Sequence, residues 1–297
     1  MKPEYFFVIT AGILYGTITA GGQFFVNLGF SVFEISIFSV MLTSIILSFI
    51  VFLKPKYRIK KKMIFFFLIF GLINAMQEIT QFGALSFGTP VAIVALLLYS
   101  QPVWTTFFGR FILKEKITAK KITAIIIAII GIILVLKIWD MEAINSMTGI
   151  ILAFLGGIFL SLWVILGRKS GIEKQHHITT GFGCFIFTLL WLVILWPITI
   201  FITNESSIIN LSLNFPIYYW FYFLIFALLS GVFPHLLFYK GLQKVQASIA
   251  GIILLLEPVS ATILAFFLFS QAITSNILIG GALILLSNYI VINEENK

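Results

Sequence analysis

Charge is what this sequence has least of. Asp, Glu, Lys and Arg make up 10% of its 297 residues, whereas a soluble domain carries about a quarter, so a water-soluble globular fold is excluded. Cysteine is nearly absent: the single Cys184 rules out an intrachain disulfide and reads as a small packing residue. There are three histidines. Two of them, His176 and His177, share a loop with no acidic or thiol neighbour at ligand spacing, so neither a metal nor a cofactor is expected. Converging nucleophiles, bases and metal ligands are too few for an enzyme. No G-x-x-x-x-G-K-[ST] sequence occurs and no polar stretch is large enough for a nucleotide-binding domain, which leaves gradients as the energy source. A cleavable signal peptide is not expected either, because the first apolar run is long and lacks the charged start and A-x-A exit.

What the chain does have is long apolar runs. Hydrophobic residues reach 60% and the mean hydropathy is +1.11. Runs of about 20 apolar residues cross a bilayer as helices. Ten are legible, near 4–28, 33–53, 63–87, 90–112, 119–138, 147–168, 178–203, 217–240, 246–269 and 274–292. Alternating barrel patterning is missing, so the class is an all-α integral membrane protein. Of the 19 cations, all except Lys137 fall at alternate connections or at the termini. The positive-inside rule then places both termini and every even-to-odd link in the cytoplasm. The +8 net charge is thereby assigned to topology and the lipid bilayer, not to nucleic acid. A prokaryotic plasma membrane is the expected location. Monomer and homodimer both stay open.

Polar residues inside the spans carry the functional signal. Glu257-Pro258 interrupts span nine; an acidic group at the bilayer centre costs about 2.5–3.5 kcal/mol on insertion scales, and an interior proline removes a backbone hydrogen bond. Such breaks survive where they line an enclosed or watery cavity. Span three holds Asn74, Gln77, Glu78 and Gln81, which require the bundle interior or water. Span one carries a small and polar stripe, Gly12, Gly16, Thr19, Gln23 and Asn27, in which the glycines read as packing. Span four follows a tight Gly88-Thr89-Pro90 turn and presents Ala92, Ala95, Tyr99, Pro102, Thr106 and Gly109 on one face, beside Gln101. Glu34 falls near the outer interface. Trp191, Trp196 and Pro197 read as interfacial anchors and a kink. Asn204 and Asn210 match a glycosylation sequon that has no meaning in a prokaryote.

The second half repeats the first. FILKEKIT at 111–118 aligns with FLFSQAIT at 267–274 with an offset of 156, which also pairs Gln101-Pro102 with Glu257-Pro258; one residue further, Glu78 pairs with His235. The repeats are set at 1–140 and 146–297. Five spans per unit is an odd number, so the copies enter the membrane in opposite directions. Inverted repeats place a substrate site at the midplane, where the halves meet. Pro102 and Pro258 are read as hinges.

Tyr239, Gly241-Leu242, Ala247, Ala250-Gly251, Glu257-Pro258 and Gly280-Gly281, with the first-half partners Ala84-Leu85, Ala92, Pro102, Glu115 and Gly131, resemble the EamA group of the drug/metabolite transporter superfamily over nearly the whole chain. Gln271 departs from it, standing where the family usually has a glutamate. The resemblance implies a ten-helix secondary carrier, commonly an exporter of amino acids or other small metabolites. Its central cavity is lined by spans one, three, four, six, eight and nine. Mapped here, the substrate-binding set is Gln23, Glu78, Gln81, Tyr99, Gln101, Trp163, His235, Tyr239 and Glu257. The expected mechanism is alternating access, with Glu78, His235 and Glu257 as candidate proton carriers. The rings of Tyr99, Trp163 and Tyr239 are suited to hold an ammonium group. Glu257 has a second reading, as a structural carboxyl bonded to a neighbouring helix, and the carrier has one as a multidrug or cationic-compound exporter.

Overall fold

The computed structural model describes residues 2–87, 91–136, 139, 147–202, 205–269 and 274–295. The turn at Gly88-Thr89-Pro90, Lys137, Asn204, the Gln271 link and the exact division at 140–146 lie outside them. Spans one to three are α1 (Pro3–Asn27), α2 (Val32–Leu53) and α3 (Ile64–Ser86). Span four is split into α4 (Val91–Leu98) and α5 (Gln101–Ile112). Spans five to seven are α6 (Ala119–Leu136), α7 (Met147–Ile172) and α8 (His177–Ile202), and a short α9 (Ser206–Ile209) sits in the loop that follows. Span eight is α10 (Tyr218–Phe226), a π-helical turn (Ala227–Val232) and α11 (Phe233–Leu242). Span nine is again split, into α12 (Ala247–Ile253) and α13 (Leu256–Phe269), and α14 (Ser275–Glu295) is span ten. Among the described residues nine stretches are long and apolar enough to cross a membrane, and the broken span four supplies the tenth.

Helix contacts repeat when spans one to five are exchanged with six to ten. Span three packs on six as eight packs on one, and span one packs on nine as six packs on four. Five pairs with ten, two with seven and four with nine. This is the contact pattern of two five-helix units related by a pseudo-two-fold axis. Between hydrocarbon-facing helices, packing and close backbone approach replace the hydrophobic drive. One such approach joins α6 and α14. A Cβ added at Gly131 would lie 2.8 Å from the Gly280 carbonyl oxygen, and one at Gly280 would lie 2.5 Å from that of Gly131. Gly16 in α1 meets the backbone of Ala261 in α13 just as closely, at 2.6 Å, which gives the span-one glycines their packing role.

At the end of the bundle that carries the basic links, the short α11–α12 connection is held from four directions. Arg168 donates to the Leu242 carbonyl at 2.8 Å, Gln243 donates to the Gln175 carbonyl at 3.0 Å, and Lys244 pairs with Glu4 of α1. The fourth hold is the strongest. Glu115, from the first repeat, accepts from the backbone N–H of Ala247 (2.6 Å) and of Ser248 (3.0 Å) and from Ser248 Oγ (2.6 Å). It thus caps α12 of the second repeat, where free N–H groups welcome a negative charge. Lys121, 3% exposed, completes the contact by donating to Gln246 Oε1 at 2.5 Å and to Ser248 Oγ at 2.9 Å.

Two outcomes are expected. Gly131→Leu forces α6 and α14 apart and destabilises the protein by about 1–3 kcal/mol, seen as a lower melting temperature in detergent; Gly22→Leu, whose added Cβ meets nothing within 4 Å, leaves it unchanged. Glu115→Ala orphans two backbone donors and costs on the order of 1–3 kcal/mol in the same assay, whereas Glu173→Ala at an exposed position costs nothing measurable.

Candidate substrate pathway

Each proline expected to act as a hinge sits in the first turn of a new helix, not in the interior of one. Pro102 is the second residue of α5 and Pro258 the third of α13. There a missing N–H has no intrahelical partner to lose, so the span breaks outright and does not kink. The linking residues close with short-range bonds: Ser100 N to Leu97 O at 3.3 Å and Val103 N to Ser100 O at 3.0 Å in span four, Leu255 N to Ile252 O at 3.1 Å and Glu257 N to Leu254 O at 2.9 Å in span nine. By contrast α8 runs unbroken through Pro197.

Glu257 lies at the second of these breaks, half-buried, with the Tyr99 side chain beside its carboxyl. Tyr99 is in the matching break of span four. The two interruptions therefore bring one residue each to a common point between the repeats. Gln101, the repeat-mate of Glu257, does not join them. It is 1% exposed, donates its amide to Thr105 on its own helix and packs against Gly251 of α12. The glycine leaves room for it, and the buried contact between α5 and α12 takes it away from any open cavity.

Trp163, His235 and Tyr239 do come together, with Tyr15, Phe185 and Phe238 around them. Trp163 stacks on Phe238 with centroids 5.1 Å apart and planes 1° from parallel. His235 meets Tyr15 edge-on at 4.9 Å and Phe185 at 4.7 Å. The backbone explains its placement. Pro234 withholds the N–H that Ser230 would otherwise receive, and span eight widens into the π-turn. The loosened carbonyls are taken by side chains: Leu229 O by Thr17 at 3.2 Å, Ala227 O by Thr43 at 3.5 Å, and Gly231 O by His235 Nδ1 at 2.7 Å. Within this cluster Tyr15 Oη, Trp163 Nε1 and Tyr239 Oη are buried without a hydrogen-bond partner, a state that costs about 1–3 kcal/mol per group. Tyr15 was not among the residues singled out from sequence; its signal was a hydroxyl-bearing ring one position before the Gly16 packing stripe.

The remaining residues lie elsewhere. Gln23 is exposed and bonds Asn27 one turn on at 2.8 Å, so its amide is satisfied locally. Gln81 accepts from Gln77 at 2.5 Å on the same helix. Glu78 lines a separate chamber between α2, α3 and α8, with Ser36 Oγ at 3.4 Å. In the cytoplasmic-type loop His176 stacks on Tyr57 at 4.3 Å; burial and the charges of Lys56 and Lys240 hold its imidazole below the usual histidine range.

The EamA-like transporter family model matches residues 2–137 and again 147–293. An uncharacterized transporter of Clostridium kluyveri is 24% identical over all of this chain and 95% of its own length. The uncharacterized transporter YyaM of Bacillus subtilis is 27% identical over 62% of this chain and 59% of its own. A solved crystal structure superposes with a TM-score of 0.77 at 15% identity, covering 99% of each chain, which establishes the shared fold. A duplicated five-helix unit, matched twice by one family and by transporters along its full length, has one reading: this chain belongs to the EamA-like transporter family.

Proposed function

We propose that this membrane transporter is a secondary active exporter of a small metabolite, an amino acid or a related primary amine, that works by alternating access with proton coupling. The observation that carries the reading is the meeting of Glu257 and Tyr99 at two helix breaks in equivalent positions of the repeats. Interrupted spans at a repeat interface are where carriers of this kind hold their cargo. Glu257 is the acceptor for a substrate ammonium or a proton, and Tyr99 fixes the orientation of its carboxyl.

The aromatic cluster of Tyr15, Trp163, His235 and Tyr239 lies toward the end where the α11–α12 connection is held, and serves as the barrier on that side. Its three unpartnered polar atoms gain partners when substrate or water reaches them, so opening recovers part of what burial costs. The distribution of cations supports both termini in the cytoplasm.

In proteoliposomes loaded with radiolabelled amino acids, wild-type protein shows counterflow and is driven by an imposed pH gradient. Glu257→Gln lowers both by at least about tenfold, the effect of losing a contact worth more than 1.4 kcal/mol. Tyr99→Phe, which removes the hydroxyl beside the Glu257 carboxyl, lowers counterflow by roughly tenfold. Wild-type rates with unchanged pH dependence in Glu257→Gln would remove this residue from the mechanism.

A further inference from the structure

The Glu78 chamber has the build of a binding site in its own right. Its cavity is about 130 Å³, close to the roughly 150 Å³ engineered void that takes one benzene ring. The walls are apolar, among them Phe33, Ile79, Phe87, Leu152 and Leu192, and of the lining residues Glu78 alone is ionisable. No lining residue comes from α1, α12 or α13, and Glu257 is not part of it.

A lid covers it. Ile208 of α9 lines the chamber and is 5% exposed. The loop that carries it is fastened by Trp196 Nε1, which donates to Ile209 O at 2.9 Å, and above all by Glu34. That carboxylate closes a capping box with Ser31 at the start of α2 and also accepts from Ser212 N at 2.8 Å and from Asn210 Nδ2 at 3.5 Å. Glu34 is 3% exposed; it is a buried fastener of the lid, and its place near the outer interface is what lets it reach the loop.

An apolar box of one-ring size with a single carboxylate selects for size, apolarity and one positive charge. A cation sitting against Glu78 supplies the partner that the lone Ser36 hydroxyl at 3.4 Å does not, and buried charges persist when they are paired. Phe33 and Phe87 add ring faces for an ammonium.

We infer that the chamber between α2, α3 and α8 is a second ligand site, independent of the Glu257 site, that takes a small apolar monocation of the arylalkyl- or branched alkylammonium class. The test is isothermal titration of the purified full chain in detergent with benzylammonium, and with benzyl alcohol as the uncharged counterpart. Wild-type protein binds benzylammonium at least tenfold more tightly than the alcohol. Glu257→Gln keeps that preference, and adding Glu78→Gln to Glu257→Gln abolishes it. In the same Glu257→Gln background Gly83→Leu fills the chamber from a position where an added Cβ has ordinary contact with Leu152 at 3.4 Å, and it weakens both probes at least tenfold. If Glu78→Gln does not fold, the Gly83→Leu and Glu257→Gln titrations decide. Wild-type protein without a preference for the cation overturns the inference. So does Gly83→Leu with unchanged binding, or a preference lost in Glu257→Gln. Transport by Glu257→Gln is a separate readout, so the two sites fail or stand separately.

Discussion

A backbone amide or carbonyl in hydrocarbon has no water to turn to, and this constraint governs where the helices of this transporter are allowed to break. Each interruption is accompanied by its replacement partners. The π-turn of span eight frees carbonyls that Thr17, Thr43 and His235 take up from three positions around it. The start of α12 presents unsatisfied N–H groups that Glu115 accepts from the other repeat. The breaks at Pro102 and Pro258 are nearly self-sufficient, because a proline in the first helical turn withholds a donor for which there was no acceptor. Polar side chains are thus concentrated at the discontinuities.

The repeats share a backbone plan and differ in chemistry. Gln101 and Glu257 occupy equivalent positions, yet one is buried against Gly251 and the other lies beside Tyr99 at the break of span nine. Glu78 and His235 are likewise repeat-mates, one in an apolar chamber and one inside a ring of aromatics. A shared backbone plan thus carries different side-chain chemistry in its two halves. The polar contacts around residues 242–248 show the same division of labour. They join repeat to repeat through Glu115 and Lys121.

Much of the architecture was readable from local pattern. Span lengths, the breaks at Gln101-Pro102 and Glu257-Pro258, and the duplication depend on residues close together in sequence, and membrane helices satisfy their backbone within the segment. Gly131, one of the first-half residues that carry the family resemblance, proves to be a contact point with α14. The candidate site residues divide by where the fold puts them. Trp163, His235, Tyr239, Tyr99 and Glu257 lie where spans meet, but Gln23 and Gln81 bond to their own helices, since an amide finds an i+4 neighbour as readily as a remote one. Glu115 was visible only as a repeat marker, because the N–H groups it caps lie more than a hundred residues away. The π-turn left no mark beyond Pro234.

The sequence by itself determined that this protein crosses the membrane ten times in two inverted copies. Apolar run length and the placement of cations are local quantities that the bilayer reads directly. Tertiary structure alone decided which polar groups face each other: that Tyr99 reaches Glu257, that Tyr15 joins the aromatic cluster, and that Glu78 lines a chamber of which Glu257 is no part. Helices apolar on every face carry no periodic signal of orientation, so rotation and partner are set by packing against neighbours and not by the pattern along the chain.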